Sequence, residues 1–285
     1  VIPQLIARIH IKSPEISTLL KKLLCKVAAV HPQALVCPIS VALNTDDQQQ
    51  KEVAVAVLRE VRKNRSQLVE EATMLSRELM RAAVTPHELW HDGLEQAAQL
   101  YLDNKDTKGM LDVLTELHEA LNDTAVTSNK YGNTGGVEGF SESIGKIGSV
   151  TLRDIGFRQS YGITLTEAHY WLEQYRISDK TSDLQQAWDV YHPLFKRIKQ
   201  QIGKLKTLEL YHVSPALTTA RDLMLAVPGT YDPSTKDIQI QRFLPHIGVI
   251  ASKQRPRRMS IVGSDGKLYQ FLLKGHEDLR QDERV

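Results

Sequence analysis

Apolar positions recur every three to four residues over most of the chain, and beyond about residue 208 the period changes to two. In the first stretch Ser13 is placed to N-cap a helix, with Pro14 at its first position and Glu15 in its first turn. Ile16, Leu19, Leu20, Leu23, Leu24 and Val27 then form a helical stripe. HPQALVCPISVALN, DDQQQKEVAVAVLREVRKN and RSQLVEEATMLSRELMRAAV continue it. Short helices joined by tight turns over residues 1–83 predict the end of an α-solenoid, although no clean sequence repeat accompanies them.

A second helical unit is expected over 84–203. Thr85-Pro86 opens a helix carrying Trp90, Leu94, Ala97, Ala98 and Tyr101. Met110, Leu111, Leu114, Leu117 and Leu121 form the next stripe, and Leu165, Ala168, Leu172 and Tyr175 the third. Leu184, Ala187, Trp188, Tyr191, Phe195, Ile198 and Ile202 form the fourth. Four amphipathic helices with one stripe each predict a four-helix bundle. Residues 122–149, rich in Gly, Ser, Asn and Thr, read as a flexible insertion. Pro193 falls inside the fourth stripe, where it removes one backbone hydrogen bond. It predicts either a kink at Trp188–Asp189 or two shorter helices.

From 204 onward an antiparallel sheet is expected. KDIQIQRFL alternates, and RRMSIVGSDGKLYQFLLKG reads as two strands around a turn containing Asp265-Gly266, a strong hairpin signal. The fold class is therefore mainly α, with an α+β portion at the end.

Composition adds little: 285 residues, 41% hydrophobic, 25% charged and net charge +2 describe an ordinary globular chain. The charge does not point to nucleic acid or an anionic membrane. Cys25 and Cys37 sit in apolar contexts and read as buried reduced thiols, too few for a zinc cluster. No apolar run approaches the ~18 residues of a membrane span. The opening VIPQLIARIH lacks a signal peptide's features and an initiator Met, so the chain is expected to be an excised piece of a longer protein.

Three stretches bear on chemistry. HELWH, His87 to His91, matches H-E-x-x-H, in which two histidines on one helical face bind zinc and Glu88 acts as base. The third ligand would have to come from Glu116 or Glu119 on a generic bundle helix, and Trp90 and Leu94 start a packing stripe here; packing is the preferred reading. GNTGGVEGF lacks the Gly-Lys-Ser/Thr of a Walker loop and reads as loop. ASKQRPRRMS is either a solvated basic face or a phosphate-binding turn between strands. Lys274 ends a strand, with Glu277 and Asp278 in a following first helical turn and Asp282 one turn later. Kinases hold nucleotide phosphates with such a lysine aligned by a carboxylate, though the spacing alone is common.

Longer motifs are more specific. AVPGTYDP, SKQRPRRM and LLKGHEDLRQDERV resemble the kinase N-lobe of the target of rapamycin protein kinases. ELWHDGLEQAAQLYLDNKDTKGMLDVLTELH and LQQAWDVYHPLF resemble their rapamycin-binding bundle. VIPQLIARI and HPQALVCP resemble the end of the helical-repeat (FAT) region before it. The resemblance implies a growth-regulating serine/threonine kinase, cytoplasmic or at endomembranes, with ATP and magnesium as cofactors in the full-length protein. It implies ATP contacts from Ser252, Gln254, Leu272, Lys274, Glu277 and Asp282. It implies a groove for rapamycin with its immunophilin, or for protein substrates, at Leu94, Ala98, Tyr101, Leu102, Gln185, Trp188, Asp189, His192 and Phe195. Leu102 stands where the family has phenylalanine, Gln185 for threonine and His192 for tyrosine, so drug binding is expected to be weak. A catalytic-loop Asp with its Asn and an activation-segment Asp are absent, so the piece alone is expected to be inactive and to hold ATP weakly at best. The alternative is a non-catalytic docking module.

Overall fold

The computed structural model describes residues 2–6, 8–9, 11, 13–43, 47–103, 105–129 and 150–275, the side chains of 2–3 and 123–129 excepted. The chain forms two compact units. One combines Val1–Ala83 with Lys206–Val285, and the other is Val84–Leu205.

The first unit begins with α1 (Ile2–Ile6), α2 (Pro14–Val30), α3 (Pro32–Ala42), α4 (Gln48–Arg62) and α5 (Ser66–Ala83). Ser13 takes the N-cap position of α2, but its side chain makes no capping bond. Asp47 caps α4 by accepting from the Gln49 and Gln50 amides at 2.9 and 3.1 Å. Helix α2 packs on α4 and α3 on α5, the alternation of stacked helix pairs. Cys25 and Cys37 are free thiols, half-buried rather than fully buried. Burial pushes the Cys37 thiol up to about 11, which keeps it unreactive.

The second unit is a four-helix bundle: α6 (Pro86–Leu102), α7 (Thr107–Asn129), α8 (Leu152–Ser178) and α9 (Thr181–Lys204). Thr85 and Glu88 form a capping box at the start of α6, and Thr151 and Asp154 form another before α8. The core joins Trp90, Leu94 and Ala97 to Met110, Leu114 and Leu117, and these to Phe157, Tyr161, Leu165, Leu172, Leu184, Ala187, Leu194 and Ile198. Phe157 and Tyr161 were not in the predicted third stripe, because α8 starts further upstream than that stripe.

One boundary expectation is corrected. Helix α7 runs to Asn129, past the predicted insertion start at 122, because propagating a formed helix costs little even through polar residues. The insertion's remainder, 130–149, lies outside the described residues. Of the two outcomes expected at Pro193, the split into shorter helices does not occur, since α9 runs unbroken from Thr181 to Lys204. Pro193 and Asp189 are both exposed, so the carbonyl deprived of its partner can be hydrated, while Ala187, Tyr191, Leu194 and Ile198 anchor both sides.

The chain re-enters the first unit through β1 (Thr207–Glu209), α10 (Leu210–Val213) and α11 (Pro215–Thr219), followed by β2 (Ile240–Phe243), β3 (His246–Val249), β4 (Arg257–Gly263) and β5 (Leu268–Leu273). All pairings in the sheet are antiparallel. β4 is central: β3 pairs with its start and β2 with its end, while β5 runs along it from Arg257↔Leu273 to Val262↔Leu268. The β4–β5 turn is the predicted Asp-Gly hairpin, with Gly266 at φ 76°. Elements β1, β3, α10 and α11 escaped the sequence reading because they are too short to show a period. Polar contacts join this portion to the helices. Ser214 Oγ donates to buried Glu78 Oε2 at 2.8 Å, Gln33 Nε2 donates to the Met224 carbonyl at 2.6 Å, and Gln33 Oε1 accepts from the Ala226 amide at 3.0 Å. Among the described residues no helix is long and apolar enough to cross a membrane.

The bundle core contains a polar island. His118 is buried, hydrogen-bonded through Nε2 to Tyr191 Oη at 2.7 Å, and 4.5 Å from the His169 ring. Burial, with His169 alongside, pushes His118 down to about 3; burial, with Arg153 nearby, pushes His87 down to about 4. Both are thus neutral when folded and take up protons more readily when unfolded. Their contribution is complete above an unfolded value of about 6.5 and is lost as pH falls towards the folded values. We expect the bundle's melting temperature to fall below about pH 6.5. His118→Gln should flatten that acid limb, as read from melting curves between about pH 7 and 4.

Candidate functional site

A groove of about 300 Å3 opens between α6 and α9. The wall from α6 is Leu94, Glu95, Ala98, Gln99 and Leu102, with Asp103 just beyond; the wall from α9 is Trp188, Tyr191, His192 and Phe195. These positions follow helical spacing: 95, 99 and 102 on one helix, and 188, 191, 192 and 195 on the other. Trp188 stacks on Tyr101 with ring centroids 6.3 Å apart, and meets Tyr191 edge-on at 5.8 Å. His91 stacks beneath Phe195 at 4.8 Å, and Lys199 Nζ lies 5.7 Å from the Phe195 centroid. The wall is therefore fixed from behind by aromatic contacts.

Of the nine groove residues expected, Leu94, Ala98, Leu102, Trp188, His192 and Phe195 line this space. Tyr101 is half-buried and stacks on Trp188. Gln185 and Asp189 are exposed, with Gln185 Nε2 donating to Asp189 Oδ1 at 3.0 Å. Glu95, Gln99, Asp103 and Tyr191 were missed. Glu95 and Gln99 follow from Leu94 and Ala98 by one step along the helix. Tyr191 had been assigned wholly to the core, which it also serves. Leu102 is 70% exposed and forms an open lip.

The HELWH histidines have separate neighbours. His87 meets Phe157 and Tyr161 edge-on at 4.9 and 5.6 Å, while His91 Nδ1 is hydrogen-bonded to Asp92 at 2.8 Å. Among the described residues no group of three His, Cys, Asp or Glu is arranged to hold a metal.

The nucleotide candidates lie in the first unit. Residues 250–256 link β3 to β4. The loop is closed by Ile250 N donating to Pro256 O at 3.0 Å and Arg255 N to Ser252 O at 3.3 Å. Ser252 is exposed and Gln254 half-buried. Leu272 is exposed on β5 opposite Arg258. Lys274 immediately follows Leu273, which pairs with Arg257 at the loop's exit. The register thus brings the loop and Lys274 to the same end of the β4–β5 ladder. Glu277 and Asp282 lie outside the described residues.

The bundle and this lobe are matched by known sequences. Residues 78–131 and 137–200 match the FKBP12-rapamycin binding domain family. Over 285 residues, all of this chain, the sequence is 43% identical to the serine/threonine-protein kinase mTor of Drosophila melanogaster, covering 11% of that protein. It is 42% identical over 285 residues to the serine/threonine-protein kinase TOR of Arabidopsis thaliana, again 100% of this chain and 11% of that one. Against the target of rapamycin homolog of Caenorhabditis elegans it is 38% identical over 289 residues, covering 100% of this chain and 10% of that one. The chain belongs to the target of rapamycin kinase family, and it spans about a tenth of the length of these relatives.

Ala98 lines the groove without being fully buried. Ala98→Leu is expected to fill the groove while changing stability by no more than about 0.5 kcal/mol, as for a surface substitution. Apolar dye binding, compared with the unfolding midpoint, checks both halves of this expectation.

Proposed function

We propose that the chain is part of a serine/threonine protein kinase that transfers phosphate from ATP to proteins in growth and nutrient signalling. The observation that carries this reading is the match over all 285 residues to kinases of one family. The meeting of the basic loop with Lys274 at one sheet end supports it. On this reading the loop with Ser252 and Gln254 covers the phosphates, Lys274 neutralises their charge, and Leu272 offers an apolar edge to the base. Glu277 and Asp282 are the carboxylates that align the lysine. Bound magnesium and ATP would supply the transferable phosphoryl group and its charge neutralisation. Lys274→Ala in the full-length protein is expected to lower phosphate transfer by at least about a hundredfold in kcat/KM. Unchanged activity would overturn the assignment. The 285-residue chain by itself is expected to transfer no phosphate.

The bundle groove recruits protein substrates, and any docking of the rapamycin–immunophilin pair takes place there. Its apolar lining between two aromatic-backed helices supports this role. A docking module without catalysis is the second reading, favoured by the match of the bundle by itself to a binding-domain family. Full activity of Lys274→Ala together with loss of binding in Ala98→Leu would select it. With leucine at 102 and histidine at 192, two aromatic walls are missing, at about 25 cal/mol for each Å2 of lost apolar contact. Rapamycin with its immunophilin is expected to bind weakly or not at all. The double variant Leu102→Phe, His192→Tyr should tighten binding by about tenfold or more, measured by titration. Nanomolar ternary affinity for the unaltered chain contradicts this.

A further inference from the structure

Arg257 is the first residue of β4 and is fully buried, the largest such side chain after Trp90 among the described residues. A guanidinium loses its hydration at high cost unless its donors find acceptors. Two are provided. Nη1 donates to the Arg255 carbonyl at 2.7 Å, and Nε faces the Ala82 carbonyl at 3.4 Å. Ala82 lies in the last turn of α5, where carbonyls lack intrahelical partners and the helix dipole favours a cation. Arg255 has φ 45°, a left-handed conformation uncommon for a residue with a side chain, and the carbonyl Arg257 holds is its own. Arg257 also pairs across the ladder with Leu273, the residue before Lys274. One side chain therefore connects the end of α5, the strained exit of the 250–256 loop and the strand end that presents the lysine.

We propose that Arg257 is a positioning residue for the nucleotide site: it clamps the phosphate-covering loop to the C-terminus of α5. The helical region thereby sets where that loop stands. The inference rests on the kinase reading for the loop's role, but the clamp itself rests on geometry alone. The loop has no glycine to relieve its left-handed turn, so its shape has to be held from outside. Lysine could keep the charge beside α5, but a single ammonium cannot reproduce the fork that spans two carbonyls.

The test compares Arg257→Lys and Arg257→Met with Glu71→Gln, which weakens a different contact between α5 and the later segment by taking the charge off the acceptor of the Met224 amide. In the 285-residue chain, amides of 250–256 are expected to exchange about tenfold faster or more in Arg257→Met, less so in Arg257→Lys, and at the normal rate in Glu71→Gln. Bundle amides should be unaffected in all three. In the full-length protein, Arg257→Lys should raise KM for ATP by about tenfold while kcat at saturating ATP stays within about twofold, because bound nucleotide re-forms the loop. Unchanged loop exchange in both Arg257 variants overturns the clamp. So does a fall in kcat with KM unchanged, or a loss of protection spread evenly over the whole unit, since each is what a merely structural arginine would produce. Phosphate transfer that is unchanged in Lys274→Ala overturns the kinase reading instead, and the exchange data then still decide the clamp.

Discussion

The first unit depends on a carboxylate buried in a helix. Its two parts, α1–α5 and the segment from Lys206, are separated in sequence by the entire bundle, so nothing local brings them together. Glu78 on α5 is 1% exposed, and it accepts from Ser214 Oγ while Arg77 Nε and Arg81 Nη1 lie at 3.2 and 3.7 Å. Ser214 in turn caps α11 by accepting from the Leu217 amide at 3.2 Å. A buried charge is tolerated only where partners satisfy it, so this group can sit here only when the returning chain is in one position. Gln33, Glu71 and Arg257 repeat the arrangement at other points, each helix side chain meeting the later segment's backbone or the reverse.

The bundle meets a different constraint. Helix α9 must contribute to the core and also supply one wall of the groove, and Tyr191 does both. Its ring lines the groove, and its hydroxyl is held by His118 in the interior. Trp188 is locked between Tyr101 and Tyr191. A groove whose aromatic wall is held by ring contacts keeps its side chains ordered, so little freedom would be lost were it occupied. Pro193 is compatible with this because it lies on the exposed face, away from the packed positions.

Much of this could be read along the chain. The helices of the bundle appear in the spacing of Leu165, Ala168 and Leu172, the α6 start in Thr85-Pro86 with Glu88, and the hairpin in Asp265-Gly266. Each is a short-range signal, produced by residues within a turn or two of each other. The seven-residue run SKQRPRR and the following LLKG marked a kinase lobe by resemblance, and the relatives bear out the family. Short elements were not legible: β1 and β3 exist because they pair with each other and, for β3, with β4, and three or four residues carry no period of their own.

The sequence by itself determined which segments are helical, where the hairpin turns and which family the chain joins, because these follow from local spacing, capping and long exact motifs. Only the tertiary structure decided that the first and last portions of the chain form one unit, that Tyr101 stacks on Trp188, and that Arg257 is buried. A run of basic residues looks uniformly solvated in one dimension. Which of its members is drawn inside depends on where unpaired carbonyls lie, and here these belong to the end of a helix far back in the chain and to a strained loop residue two positions away.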